Sequence, residues 1–421
     1  MDNLKNTFRS HGRNTVRYFL ILVALLAFLF FSNDFGLTDV QKTAIIMAVG
    51  VDKEEDDFVV TSQIAIPKSS KQGNSTETVQ IVSKGKTIAD AFKEINAKTG
   101  WYPKLVFCRL ILLGEFSKTE NVFDALDFFL RDEYLSDNCL VATCNGTAKE
   151  LLNTKALVDP SGSVAMEKVL SAHAERVGTV LPSTLRTFSI GFFSESQSGF
   201  LPVLKTEPQQ EPLQNEKQPP SSESSQSSES EESGESGGSG GGQGSGGEGK
   251  QEKPVFSASE TALFVSGKWV ETFTKSETFA FGAVTNDLKL APYSVQQNEE
   301  YCTLNIRQNA PKMKLKIGEN KRVYFKIELT LSAGMMDNSK SQALNQISDV
   351  GDVPQGLFDI ASKKLSAEIL QVFEKCRLSG CDLFGIIERL EKYEKEHFYE
   401  LRNDALQGAV PEVTVRFKNV R

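Results

Sequence analysis

Forty-eight consecutive residues, 207–254, lack the side chains to fold, and they divide the chain into two stretches that have them. The tract holds eleven serines, ten glycines, ten glutamates and five prolines, with Leu213 as its only aliphatic side chain. So little apolar surface cannot offset the entropy of ordering a backbone, so a disordered, self-repelling loop or linker is expected. The tract also explains the charge. The whole chain has 47 basic and 55 acidic residues, a net −8, and the tract alone carries −7. The remainder, near −1, excludes a globally basic nucleic-acid binder and is no acidic protein either. With 421 residues and 39% hydrophobic side chains, two or three domains can each build a core. Six cysteines are too few for a disulfide scaffold.

The N-terminus points to a membrane. Tyr18 to Phe31 is an unbroken apolar run, preceded by Lys5, Arg9, Arg13 and Arg17 and followed by Asn33 and Asp34. Basic residues before the run predict a cytoplasmic N-terminus with the remainder outside. Fourteen residues span only about 21 Å, short of the ~30 Å hydrocarbon core, so the h-region of a secretory signal competes. The run ends in bulky Phe28-Leu29-Phe30-Phe31, which suits no signal peptidase, and no cysteine precedes Cys108 for a lipoprotein signal. Including Val16, Arg17 and Ser32, with Arg17 reaching back to the headgroups, extends the span to 17 residues. An uncleaved anchor is therefore favoured over a cleaved signal or a buried helix, with Arg17, Tyr18, Leu22, Leu25, Leu29 and Phe31 as its membrane residues.

Downstream, Ala44 to Val51 and Phe58 to Ile66 are β-rich runs around Asp52-Lys53-Glu54-Glu55-Asp56-Asp57, which predicts a hairpin. Thr87-Ile88-Ala89-Asp90 opens a helix that buries Ile88, Ala91, Phe92 and Ile95. A buried strand over 104–113, a helix over 122–130, a strand over 138–143, a short helix around Leu151 and a helix over 161–177 follow. This alternation predicts mixed α/β layers. Beyond the tract the period becomes two, at Met313, Leu315 and Ile317, at Val323 to Leu331, and at Val413, Val415 and Phe417. Such patterning predicts an antiparallel sheet with one face buried. Two helices, one carrying Phe358, Ala361, Leu365, Ile369, Val372, Phe373 and Cys376, the other Ile386, Leu390, Tyr393, His397 and Leu401, should cover it.

Motifs for chemistry are sparse. Gly244 to Gln251 matches the spacing of a phosphate loop, but it lacks the hydroxyl after Lys250 and any flanking strand or helix. The cluster 52–57 lacks the alternating ligands, glycine and terminal glutamate of a calcium loop, so a solvated hairpin turn is expected. Of the three histidines, His11 is assigned to the cytoplasm, and His173 and His397 fall on helices without a catalytic motif. Cys376 and Cys381 could close a small disulfide loop, whereas Cys139 and Cys144 should face opposite ways on one strand. Free, buried thiols are the expected state. No catalytic residue, metal site or cofactor is assigned.

The ordered stretches, taken together, resemble the Ger(x)C family, the C subunits of spore germinant receptors. Ala48-Val49-Gly50-Val51-Asp52 looks like its first-strand A-x-G-[IV]-D, and Gly85-Lys86-Thr87-Ile88 with Ala91 looks like its G-[KR]-T-[IL]-x-x-A helix start. Phe128-Phe129-Leu130-Arg131-Asp132 resembles its helix ending in Arg-Asp, and Cys381-Asp382-Leu383-Phe384-Gly385 resembles its D-x-F-G turn. Gly50, Asp52, Gly85, Thr87, Arg131, Asp132, Asp382, Phe384 and Gly385 are the matched scaffold residues. Glycines there suit close backbone approach, and Asp382 suits a helix cap. Members of the family are usually lipoproteins, and the apolar run would replace the missing lipidated cysteine.

The expectation is a membrane-anchored α+β protein of mixed α/β domains, with antiparallel sheets covered by helices. Residues 1–37 form the tail and anchor, 38–160 an N-terminal domain, 161–206 plus 255–300 a middle domain interrupted by 207–254, and 301–421 a C-terminal domain. The resemblance implies a non-enzymatic, extracytoplasmic receptor subunit in the inner spore membrane, needed for nutrient-triggered germination and partnered by A-type and B-type membrane subunits. The residues identify no germinant pocket. A wall hydrolase using paired carboxylates and a generic surface-binding module are the alternatives.

Overall fold

The computed structural model describes residues 18–26, 43–67, 76–154, 161–207, 255–297, 299–339 and 353–420. The tract 208–254, with its phosphate-loop-like spacing, and Arg17, Leu29 and Phe31 lie outside them. The chain divides into two compact units, Met1–Thr43 and Ala44–Arg421. In the first, residues 18–26 form helix α1, with Tyr18 71% exposed and Leu22 and Leu25 also open to their surroundings. No helix among the described residues is long and apolar enough to cross a membrane.

The second unit contains two sheets. The larger is assembled from β1 (Thr43–Glu54), β2 (Asp57–Pro67), β3 (Thr76–Gly85), β4 (Tyr102–Lys104), β5 (Leu110–Leu113), β6 (Leu140–Cys144), β7 (Ser183–Thr184), β8 (Ser198–Glu207), β9 (Val255–Val265) and β10 (Lys268–Phe273). Its order is β10-β9-β8-β6-β5-β1-β2-β3, with β4 paired to β1 and β7 to β6. Strands β1, β5, β6 and β8 run parallel in the middle, and antiparallel hairpins extend both flanks.

A parallel centre must be covered on both faces, and β5 is buried throughout. Leu110 and Leu112 face helices α4 (Ala148–Asn153) and α5 (Gly162–Val169). Ile111 and Leu113 face α2 (Ile88–Thr99), α3 (Phe123–Arg131) and α7 (Leu185–Phe193). Cys139 and Cys144 fall in these opposite cores, as their spacing implies. All six cysteines are free and buried, so no disulfide joins Cys376 to Cys381.

The second sheet has the order β11-β12-β13-β14, from β11 (Ala291–Gln297), β12 (Glu300–Ile317), β13 (Val323–Asn338) and β14 (Val410–Asn419). Its first three strands are antiparallel, whereas β14 lies parallel to β13. The departure from an all-antiparallel sheet follows from the connection: α9 (Gln355–Ser379), α10 (Ile386–Tyr393) and α11 (Lys395–Leu401) carry the chain back across the sheet before β14 begins. Helix α8 (Lys275–Thr285), buried around most of its circumference, packs in a third cluster that runs from Leu263 of β9 to the second sheet. The stretch expected as a middle domain shares its strands between the sheets, β7 to β10 in the larger and β11 at the edge of the smaller.

Two expected helices are interrupted. The helix over 161–177 divides into α5 and α6 (Ala172–Val177), because Ser171 turns extended and its hydroxyl accepts the Ala174 amide at 3.3 Å. The last helix divides at Glu394, which leaves the helical region at φ −131° and ψ 48°. The strand expected over 104–113 is likewise split into β4 and β5.

Glu207 and Val255 are Cα partners in the β8–β9 ladder, so 208–254 connects two adjacent antiparallel strands. Replacing these residues by a two-residue Asn-Gly turn should leave one cooperative melting transition at an equal or higher temperature, since shortening the closed loop favours folding by on the order of 2 kcal/mol. Two separate transitions, or a lower melting temperature, would contradict this connectivity.

Candidate functional site

The matched residues of the N-terminal half pin secondary structure together. Along β1, Val49 and Val51 enter one core, while Ala48, Gly50 and Asp52 point to the other face, where α4 lies. A Cβ on Gly50 would come within 2.8 Å of Leu152 and 3.0 Å of Ala148, so only glycine lets the helix approach this closely. Two residues on, Asp52 is 7% exposed and accepts the amides of Ala148 at 2.7 Å and Lys149 at 2.9 Å, capping α4 from a distant strand. Burial pushes its carboxyl pKa up, against the opposing pull of those two amides. Asp52 therefore leaves the solvated turn, which consists of the residues after it. There Lys86 pairs with Asp57 at 2.5 Å and holds that carboxyl below the usual range.

Gly85 ends β3 against the start of α2, where a Cβ would lie 2.6 Å from the Ala91 nitrogen. Thr87 is the cap: its hydroxyl accepts the Asp90 amide at 3.2 Å. Asp132 stops α3 by accepting the Tyr134 and Leu135 amides, both at 2.9 Å, and Arg131 pairs with Asp127 at 2.8 Å on the exposed side. These residues occupy separate networks and do not converge on one site.

The C-terminal motif joins the two sheets. Cys381 donates its thiol to the Phe264 carbonyl at 3.4 Å, and the Asp382 amide donates to the Ser198 hydroxyl at 2.9 Å, so the turn is fastened to β9 and β8. Burial pushes the Cys381 thiol up to about 12. Phe384 sits among Phe281, Phe325 and Phe373, with centroid separations of 5.4, 6.1 and 5.3 Å. Gly385, at φ +65°, starts α10, and Asp382 Oδ2 accepts the Ile387 amide at 2.7 Å. A partly buried ion pair reinforces the junction, Glu277 of α8 with Lys375 of α9 at 2.8 Å. Burial alone would raise the Glu277 pKa, but Lys375 and the Thr274 cap outweigh it and hold the carboxyl low.

Beside this turn a cleft of about 240 Å³ opens between α7 and α10. Ser183, Phe188, Ser196, Phe200, Asp382 and Glu388 line it. Asp382 Oδ1, Glu388 Oε2 and Ser183 Oγ are buried without hydrogen-bond partners, although Glu388 Oε1 accepts the Ser196 amide at 3.3 Å. Burial, aided by the Glu388 charge, pushes the Asp382 pKa up to about 6, while the amides at the start of α10 pull it down. Of the cleft's polar groups only Asp382 belongs to a sequence motif. Ser183 and Glu388 come from separate halves of the chain, and no local pattern marks either.

Two outcomes follow. Phe384→Ala should destabilise the protein by about 3–5 kcal/mol in chemical denaturation, because the vacated ring site is enclosed; a loss under 1 kcal/mol would show that the junction does not depend on it. Asp382 binds its proton more tightly folded than unfolded. Its stabilising contribution, at most about 3 kcal/mol, should be complete below pH 3.8 and lost as pH rises through about 6. Asp382→Asn should remove that part of the pH dependence, and a carboxyl ¹³C titration midpoint below 4.5 would contradict it.

Both halves match known families. Residues 37–206 match the family described as the spore germination protein N-terminal domain, and 259–419 match that described as spore germination B3/GerAC like, C-terminal. The chain is 26% identical over 151 residues to spore germination protein B3 of Bacillus subtilis (strain 168), an alignment covering 34% of this chain and 39% of that protein. The crystal structure of the GerBC protein has a similar fold, with a TM-score of 0.50 at 15% identity over 89% of this chain and 97% of the other. With matches across both ordered halves, the chain belongs to the Ger(x)C family of spore germinant receptor subunits.

Proposed function

We propose that this protein is a membrane-anchored, extracytoplasmic subunit of a spore germinant receptor, needed for nutrient-triggered germination and acting as a non-enzymatic assembly or sensing platform. The observation that carries the reading is the use to which the family residues are put. Asp52, Thr87, Asp132 and Asp382 cap backbone amides, and Phe384 fills a core, so the shared residues preserve a rigid shape. A shape kept in this way serves docking to other subunits, here A-type and B-type membrane proteins of the same receptor.

The apolar run Tyr18 to Phe31, exposed over its described part, supports a single-pass anchor with the folded unit outside the inner spore membrane. Confining that unit to the membrane surface raises its effective concentration near its partners. The hydrolase alternative would require Asp382 and Glu388 as an acid and base. Both are already engaged by backbone amides at Ile387 and Ser196, which favours a structural or binding role.

Deletion of the gene, in a strain without duplicate receptors, should abolish the germination response to nutrients while a non-nutrient trigger still works. A normal nutrient response in that strain would sink the proposal.

A further inference from the structure

Among the described residues eight buried side-chain atoms have neither a hydrogen-bond partner nor an ion pair, and three of them belong to residues that line one cleft beside the Asp382 turn. Asp382 is 4% exposed and Ser183 1%. A buried polar atom left unsatisfied keeps its full desolvation cost, so three on residues that line a single small space call for a partner that enters it. A larger groove of about 630 Å³, along Arg307, Ser332 and Lys418, contains none of these atoms.

The chemistry of the three atoms defines what fits. Ionised carboxylate oxygens only accept hydrogen bonds, and the Ser183 hydroxyl can accept as well. Two carboxylates in one partly enclosed space also favour positive charge. The complement is a cation that brings its own N–H donors, and a primary ammonium has three. Beyond these three groups the wall carries the hydroxyl residues Thr187, Ser194, Ser196 and Ser198 together with apolar side chains, Phe188 on α7, Phe200 on β8 and Leu383 in the turn. At about 240 Å³ the cleft is smaller than the ~300–1,000 Å³ of pockets for drug-sized ligands.

We propose that this cleft binds a small primary ammonium compound, its head held by Asp382 Oδ1, Glu388 Oε2 and Ser183 Oγ and its short apolar body lying against Phe188, Phe200 and Leu383. The occupant would touch β7, α7 and β8 of the larger sheet's side and the Asp382 turn and α10 of the other, the same junction that fastens the two sheets together. The proposal goes beyond the receptor reading and does not depend on it, because binding is measured on the purified chain.

The test is calorimetric titration of the full chain with n-butylammonium chloride near pH 7.5, repeated with n-butanol, tetramethylammonium chloride and potassium chloride. Saturable binding of n-butylammonium is expected, with each comparator at least about ten-fold weaker. Glu388→Gln should weaken n-butylammonium about ten-fold and Ser183→Ala several-fold, the loss of one hydrogen bond each. Ser183→Ala removes an unpartnered hydroxyl, so this variant is expected to fold even if Glu388→Gln does not. Equal response to n-butanol would reduce the cleft to an apolar contact, and equal response to tetramethylammonium or potassium to a diffuse negative field. Either result overturns the proposal, as does an absence of saturation or unchanged affinity in both variants.

Discussion

The two sheets meet through a chain of aromatic rings in which Phe384 is held among Phe281, Phe325 and Phe373, and Phe281 in turn packs on Phe200 of the larger sheet. Phe281 comes from α8, Phe373 from α9 and Phe325 from the second sheet, so one ring touches two helices and a strand at the junction. The polar contacts around it are consequences of that placement. Around the ring Cys381 and Asp382 reach β9 and β8, and the partly exposed Lys375 pairs with the buried Glu277. The apolar cluster accordingly runs without interruption from Leu263 in the larger sheet to Phe417 in the last strand.

The same junction sets a family motif beside a cleft whose lining residues carry unsatisfied polar atoms. The two oxygens of Asp382 differ, Oδ2 holding the first turn of α10 and Oδ1 buried beside the cleft without a hydrogen-bond partner. The other matched residues have single tasks. Asp52 seats α4, Thr87 starts α2 and Asp132 ends α3.

Much of the fold was legible because it depends on residues close in sequence. The period-two runs located β12 to β14, and the heptad-like stripe of α9 is buried at the very residues that its spacing implied. Thr87 as a cap could be read from three following residues. The reverse holds where a local competitor acts: the hydroxyl of Ser171 broke a helix whose apolar pattern continued through it. The direction of β14 was not legible, since it runs parallel to β13 after three intervening helices, whereas the β1–β2 hairpin and the antiparallel β12–β13 pair were expected.

By itself the sequence determined that 207–254 has too few apolar side chains to build a core, that the remainder is nearly neutral, and that two α+β stretches flank the tract. Composition and periodicity carry such conclusions because they depend on burial averaged over neighbouring residues. Only the tertiary structure decided that the flanks Glu207 and Val255 pair in one sheet, and that Asp52 crosses from a strand to cap α4. It alone gathers Ser183, Asp382 and Glu388 around one cleft. Those relations join residues whose separation along the chain carries no information about their distance in space, and packing of the apolar faces is what sets that distance.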